Sequence, residues 1–247
     1  MKTHTFVLVH PAWHGAWVWK KVAPLLRESG HLVLTPTLTG LGERSHLAGP
    51  EVGLDSHVTD VVNELTNRDL HDVVLVGHSS SGAVITGAAD RVPGRITRLI
   101  YLDAFVPADG QAVFDLITPA RRQALEALVS AEGNGWLLPR FAPVPWETIV
   151  RDLWGVTDND DVRWMLEHLG PTPVGHFRDP VKRRDAAAER LARDYIRCLQ
   201  FSNPSFDRHA AMAQHDSLWR YRELSASHHA AVTIPDQVAA LLVELAG

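Results

Sequence analysis

Cysteine is nearly absent: Cys198 stands alone in 247 residues. An internal disulfide needs two, so none is available, and no cysteine-based metal cluster can form. Long apolar runs are absent too, and nothing approaches the ~18 residues that span a bilayer. No membrane association is expected. There is no basic excess, since 24 Lys and Arg face 29 Asp and Glu, for a net charge of −5. Nucleic acid is therefore not an expected partner, because phosphate contacts need a basic face. The amino terminus lacks a basic segment followed by an apolar stretch and a small-residue cleavage site. No signal peptide is expected, and the cytoplasm is the expected compartment. The fourteen histidines are scattered rather than tracted. His14, His176 and His209 show no ligand spacing with carboxylates, so neither a metal nor another cofactor is expected.

What is present is a globular composition, 45% apolar and 21% charged. The length suits one α/β domain of moderate size, or a core carrying a large insertion. The first hundred residues alternate strand and helix. Phe6–Val9, Leu32–Leu34, Val73–Val76 and Ile96–Leu102 read as strands, the first and third apolar throughout, as in strands buried on both faces. Helical patterns run over Trp17–Glu28, from Asp55 or Ser56 through Leu65, and over Ser80–Arg91. This order predicts a parallel sheet flanked by helices. After Pro107 the character changes to prolines, tryptophans and helical patterns (Arg121–Ala131, Asp160–Leu169) without a clear buried strand. Strands resume at Tyr195–Cys198 and Trp219–Leu224, and a helix over Asp236–Leu245 closes the chain. The expected organisation is a core of residues 1–107 and 191–247 interrupted by a helical cap, 108–190. Such a cap would cover the sheet edge where open α/β folds bind ligands.

The densest signal is Val73-Val74-Leu75-Val76-Gly77-His78-Ser79-Ser80-Ser81-Gly82. A buried strand runs into Gly-His-Ser and then into a helix, the arrangement of a nucleophile elbow that holds a serine hydroxyl at the top of a sheet. The second glycine of that pattern is Ser81 here, so Ser80, with Gly82 two residues on, competes for the role. Ser79 is preferred because Gly77 lies two before it. A Ser/Gly-rich turn without chemistry is the bland alternative.

Several segments together resemble the plant-type esterase and hydroxynitrile lyase family of α/β-hydrolases, with its bacterial esterases. They are Phe6-Val7-Leu8-Val9-His10-Pro11-Ala12-Trp13-His14-Gly15-Ala16-Trp17, the loop Thr35–Ser45, the elbow, Tyr101–Pro107 and Ser225–Ala230. The resemblance covers about 1–110 and 193–247. It implies the α/β-hydrolase fold, an oxyanion hole from the backbone N–H groups of Ala12 and Ser80, and His228 as the base, with His229 adjacent. Pro11 departs from the family's glycine, but the expected donor is Ala12.

The family's acid follows the strand that is Tyr195–Cys198 here, and the aligned position is Phe201. No carboxylate stands there. Asp103 offers a replacement, because neighbouring parallel strands end side by side and Asp103 follows the strand next to the nucleophile's. Asp207 reaching in from a loop, or no acid at all, are the alternatives. Trp13, Phe105 and Trp136 are candidate substrate-binding residues, although packing is the competing role for the tryptophans. Glu43-Arg44 is a candidate loop ion pair, and Lys182-Arg183-Arg184 reads as a solvated helix face.

The reading is a carboxylesterase-type serine hydrolase acting on a small-molecule ester through an acyl-enzyme, with Ser79 as nucleophile, His228 as base and Asp103 as acid. A hydroxynitrile lyase is the first alternative; those relatives use a lysine after the histidine and a threonine in the oxyanion loop, where this chain has His229 and Pro11. A non-catalytic small-molecule-binding homologue is the second. A homodimer is left open.

Overall fold

The structure is a computed structural model that describes residues 3–247. In chain order the strands are β1 (Thr5–Val9), β2 (Leu32–Leu34), β3 (Val73–His78), β4 (Ile96–Leu102), the two-residue β5 (Leu137–Leu138) and β6 (Thr172–Pro173), β7 (Ala192–Cys198) and β8 (Trp219–Leu224). Six of them form one sheet in the order β2-β1-β3-β4-β7-β8. Each pairing in it is parallel. β3 is buried along its whole length, in keeping with its apolar run Val73–Val76. Helix Leu54–Asn67 packs on helix Ser81–Arg91, and helix Val22–Glu28 on helix Pro235–Ala246. Right-handed crossovers place these two pairs on opposite faces of the sheet.

Strand order also locates the chemistry. The chain leaves β1 toward β2 on one side and returns as β3 on the other. The connections then diverge, opening a crevice at the C-terminal ends of β1 and β3. The loop that follows β1 and Ser79 after β3 both stand there.

Glycines secure the close approaches. A Cβ on Gly82 would lie 1.9 Å from the Phe105 carbonyl oxygen, and one on Gly77 would lie 2.8 Å from that of Ser81. Both neighbours are backbone and cannot swing aside. Gly82→Ala is therefore expected to cost ~3 kcal/mol or more, at least about 6 °C in thermal melting. An unchanged melting temperature would show that the elbow relaxes freely.

Several local expectations need correction. Trp17–Glu28 is a 3₁₀ turn, Ala16–Trp19, followed by a helix that starts at Val22. Pro24 explains the break, since proline is tolerated only in a helix's first turn. Residues 108–190 contain the antiparallel pair β5–β6. Helix Pro204–His215 was not anticipated, although Asn203 caps it and Phe206, His209, Ala210 and Ala213 bury one side. Lys182–Arg184 is irregular rather than helical. Arg183 pairs with Glu189, and Arg184 with Asp109. Arg44 pairs with Asp60 at 3.1 Å, not with its neighbour Glu43. Among the described residues no helix is long and apolar enough to cross a membrane.

Candidate active site

β3 ends at His78, and the chain then turns so sharply that Ser79 takes a φ of +57°. A non-glycine residue in that region stores ~1–3 kcal/mol of strain and persists only where its surroundings hold it. Three hydrogen bonds do so. The Ser79 N–H donates to the Leu102 carbonyl at 3.2 Å, and its carbonyl accepts from Gly82 N–H at 3.2 Å and Phe105 N–H at 3.0 Å. The strained position belongs to Ser79, while Ser80 has helical angles. Ser81, standing where the elbow pattern has glycine, donates through its hydroxyl to the His10 carbonyl.

The loop after β8 carries His228, which is 4% exposed. Its Nδ1 lies 2.6 Å from Asp103 Oδ2. An ionised carboxylate only accepts, so Nδ1 carries the proton and Nε2 keeps a free lone pair. Asp103 is fully buried and has a φ of +42°. Its N–H is tied to the Ile196 carbonyl at 2.7 Å. Asp207 does not reach the imidazole; its side chain is 61% exposed and bonds Arg197 at 2.8 Å. Phe201 stacks on the His228 ring, with centroids 4.4 Å apart. Phe201, where the resemblance implied an acid, thus holds an aromatic face against the imidazole. His229 stacks beside His228, with centroids 5.2 Å apart, and packs on Trp154 and His14. Burial holds its pKa well below the ordinary histidine value, so it is neutral. Among the described residues the Ser79 hydroxyl makes no hydrogen bond. Such contacts often tighten only when substrate arrives.

The loop after β1 is held from both sides. His14 Nδ1 donates to the Ala12 carbonyl at 2.7 Å, fixing that peptide. The Ala12 N–H donates to Ser80 Oγ at 2.9 Å. Trp13, at φ +67°, donates its N–H to Thr172 Oγ1 at 2.6 Å and its indole N–H to the Leu138 carbonyl at 3.1 Å. Thus β5 and β6, far along the chain, clamp a loop beside the elbow.

Neutral histidines pack throughout this region. Burial lowers His10 to about 4, His57 to about 4 and His14 to about 3, against an ordinary 6.5. Between pH 6.5 and 4 the unfolded chain therefore binds more protons than the fold. Stability is fully present above that window and falls as pH drops through it, at ~1.4 kcal/mol per histidine per pH unit. Thermal melting should decline steeply from pH 6.5 to pH 4; a flat profile would mean these rings are solvated in the fold.

Above the elbow lies a cavity of about 500 Å³. Ser79, Ser80, Trp13, Phe105, Phe141 and Phe177 are among its walls. Trp136 does not line it; the carbonyl of Trp136 is tied to the Val174 N–H next to the β5–β6 pair. As for metals, His78, His228 and His229 are the one group of potential ligands close together among the described residues, their nitrogens within 4.8 Å of one another. Two of these rings are already engaged, His228 with Asp103 and His78 with the His228 carbonyl at 2.9 Å. Sequence reasoning missed Arg197 and the stacking role of Phe201; a charged residue inside the apolar Tyr195–Cys198 run was the available signal for the first.

The chain resembles known proteins along nearly its whole length. The Alpha/beta hydrolase family pattern matches residues 6–241. A carbendazim hydrolyzing esterase from Nocardioides sp. (strain SG-4G) is 34% identical over 240 residues, 97% of this chain and 98% of that protein. An alpha-hydroxynitrile lyase from Arabidopsis thaliana is 37% identical over 107 residues, 43% of this chain and 42% of the relative. Among solved structures, an extracellular alpha/beta-hydrolase from a Paenibacillus species, described as sharing structural and functional homology with Tobacco Salicylic Acid Binding Protein 2, superimposes with a TM-score of 0.85 at 26% identity, covering 98% of each chain. With its family pattern spanning nearly the whole sequence, the chain belongs to the Alpha/beta hydrolase family.

Proposed function

We propose that the protein is a cofactor-independent serine hydrolase of small carboxylic esters, with Ser79 as nucleophile, His228 as general base and Asp103 as the acid that orients it. The observation that carries this reading is the 2.6 Å bond between His228 Nδ1 and the buried Asp103 carboxylate, next to a serine held at φ +57°. His228 Nε2 takes the Ser79 proton as the hydroxyl attacks the ester carbonyl. The imidazolium then protonates the leaving alkoxide, and water releases the acyl-enzyme by the same steps in reverse. Asp103 compensates the charge on the ring without taking its proton.

The oxyanion meets the N–H groups of Ala12 and Ser80, each worth ~3 kcal/mol of barrier. In the resting enzyme the Ala12 N–H is held by Ser80 Oγ. That hydroxyl must yield to the oxyanion, after which its own proton is free to serve as a further donor. The cavity's largely apolar wall, with Trp13 and Phe105 on it, suits an apolar acyl or alkoxy group. Residues 108–190 act in this reading as the cap over a core of 1–107 and 191–247, and their hold on Trp13 supports it. Esterase activity in the Nocardioides relative agrees. Where the resemblance implies a lysine after the catalytic histidine of the hydroxynitrile lyases, this chain has His229, which is buried and neutral.

Incubation with a phenylmethylsulfonyl-type reagent is expected to label Ser79 stoichiometrically and to abolish hydrolysis of p-nitrophenyl esters. A folded protein labelled at another serine, or at none, would overturn the assignment.

A further inference from the structure

Arg197 is the next-to-last residue of β7, at its C-terminal end, in a run otherwise apolar or aromatic around it (Tyr195, Ile196, Cys198), with its side chain 5% exposed. Burying a guanidinium costs several kcal/mol unless each donor finds a partner. All five do. Nη1 donates to Asp103 Oδ1 and to the Cys198 carbonyl, both at 2.6 Å. Nη2 donates to the Phe201 carbonyl at 2.5 Å and to Asp207 Oδ1 at 2.8 Å. Nε donates to the same Asp207 oxygen at 3.1 Å.

We infer that Arg197 is a positioning residue for catalysis: it holds the Asp103 carboxylate so that Oδ2 faces His228, and through the Phe201 carbonyl it sets the aromatic face against which His228 turns. The inference rests on the triad proposed above and extends it by one residue on each side. Asp103 Oδ1 accepts from Arg197 and from the Cys198 N–H at 3.2 Å, which leaves Oδ2 for His228 alone. Without a cation a fully buried carboxyl would tend to hold its proton and lose its use as an orienting anion. The acid just past the end of β4 and the cation at the end of the adjacent β7 thus form one device.

The surroundings make the device readable by pH. On β7, burial raises Tyr195 and Cys198 well above their ordinary values, and Tyr221 on β8 is raised as well. Around the imidazole, burial depresses His14, His78 and His229. None of these groups changes charge near neutral pH. Asp207 on helix Pro204–His215 is the remaining charge against Arg197. The acid limb of the kcat/KM profile therefore reports the Asp103–His228 pair.

The test is the pH profile of p-nitrophenyl acetate hydrolysis for wild type, Arg197→Met, Arg197→Lys and Asp207→Asn. Removing the cation leaves Asp103 to attract protons, its own and the imidazolium's, more strongly. Arg197→Met should therefore move the acid limb up by about one pH unit. It should also lower kcat about 10²-fold with KM nearly unchanged. Arg197→Lys restores the charge but not the fork, so the limb returns toward wild type while kcat stays reduced. Asp207→Asn, a surface change that leaves the cation less compensated, should shift the limb the other way. If Arg197→Met fails to fold, the lysine and asparagine variants still give these two signed results. Limbs that coincide in every folded variant, with activity merely tracking the folded fraction, would reduce Arg197 to a structural plug. Asp103→Asn separates the two levels. If that variant keeps its activity the triad itself falls; if it loses activity while the limbs coincide, only the role of Arg197 falls.

Discussion

Ser79→Ala is expected to lower ester turnover by about 10⁶-fold, leaving only what the oxyanion donors and the cavity supply without a nucleophile. The fold should be untouched. The backbone at 79 is strained for alanine and serine alike. The three hydrogen bonds that hold it use main-chain atoms. Melting temperature should therefore stay at the wild-type value, which distinguishes a lost nucleophile from a lost structure. Ser80→Ala makes the companion measurement, because Ser80 is the competing hydroxyl on the same cavity wall and covers the Ala12 N–H. It should lose no more than about 10²-fold, the share of one oxyanion donor, and so stay far more active than Ser79→Ala. Loss in Ser80→Ala with activity kept in Ser79→Ala would shift the nucleophile by one residue.

Asp103→Asn should lower kcat by about 10⁴-fold, as loss of the orienting acid does in serine proteases. The local bonding gives the reason. Arg197 and the Cys198 N–H both donate to Oδ1. An asparagine at 103 would turn its carbonyl toward those donors and present its NH₂ to His228 Nδ1. The ring would then carry its proton on Nε2 and could not accept one from Ser79. A buried Arg197 left with half its compensation should also cost ~3 kcal/mol of stability. Asp207→Asn should keep kcat within about threefold at neutral pH, since an exposed ion pair contributes little. Steady-state kinetics on both variants, with circular dichroism to establish folding, decide the matter. The reverse ranking would move the acid to position 207.

Much of this was legible in the linear sequence because it is local. The apolar run of β3, Gly77 and the small-residue helix after Ser79 announce an elbow through sterics alone, and Gly82 in contact with the Phe105 carbonyl is part of the same close approach. Parallel pairing followed from strands buried on both faces alternating with helices. Helix Pro204–His215 was equally local in its signals, with an Asn-Pro start and apolar residues on one side. Trp136 shows the opposite case. Composition made it a candidate for the cavity, but only the β5–β6 pairing, which joins Leu137 to Pro173 and Leu138 to Thr172, set the direction of that segment.

The sequence by itself determined the strand-turn-helix elbow at Ser79, the apolar parallel strands and the absence of disulfides, since each depends on neighbours in the chain. Tertiary structure decided which carboxylate serves His228. Asp103 and Arg197 meet because β4 and β7 are adjacent in the sheet, although more than ninety residues of chain separate them. Strand adjacency across such an insertion is settled by how the whole sheet buries its faces, and no local spacing encodes it.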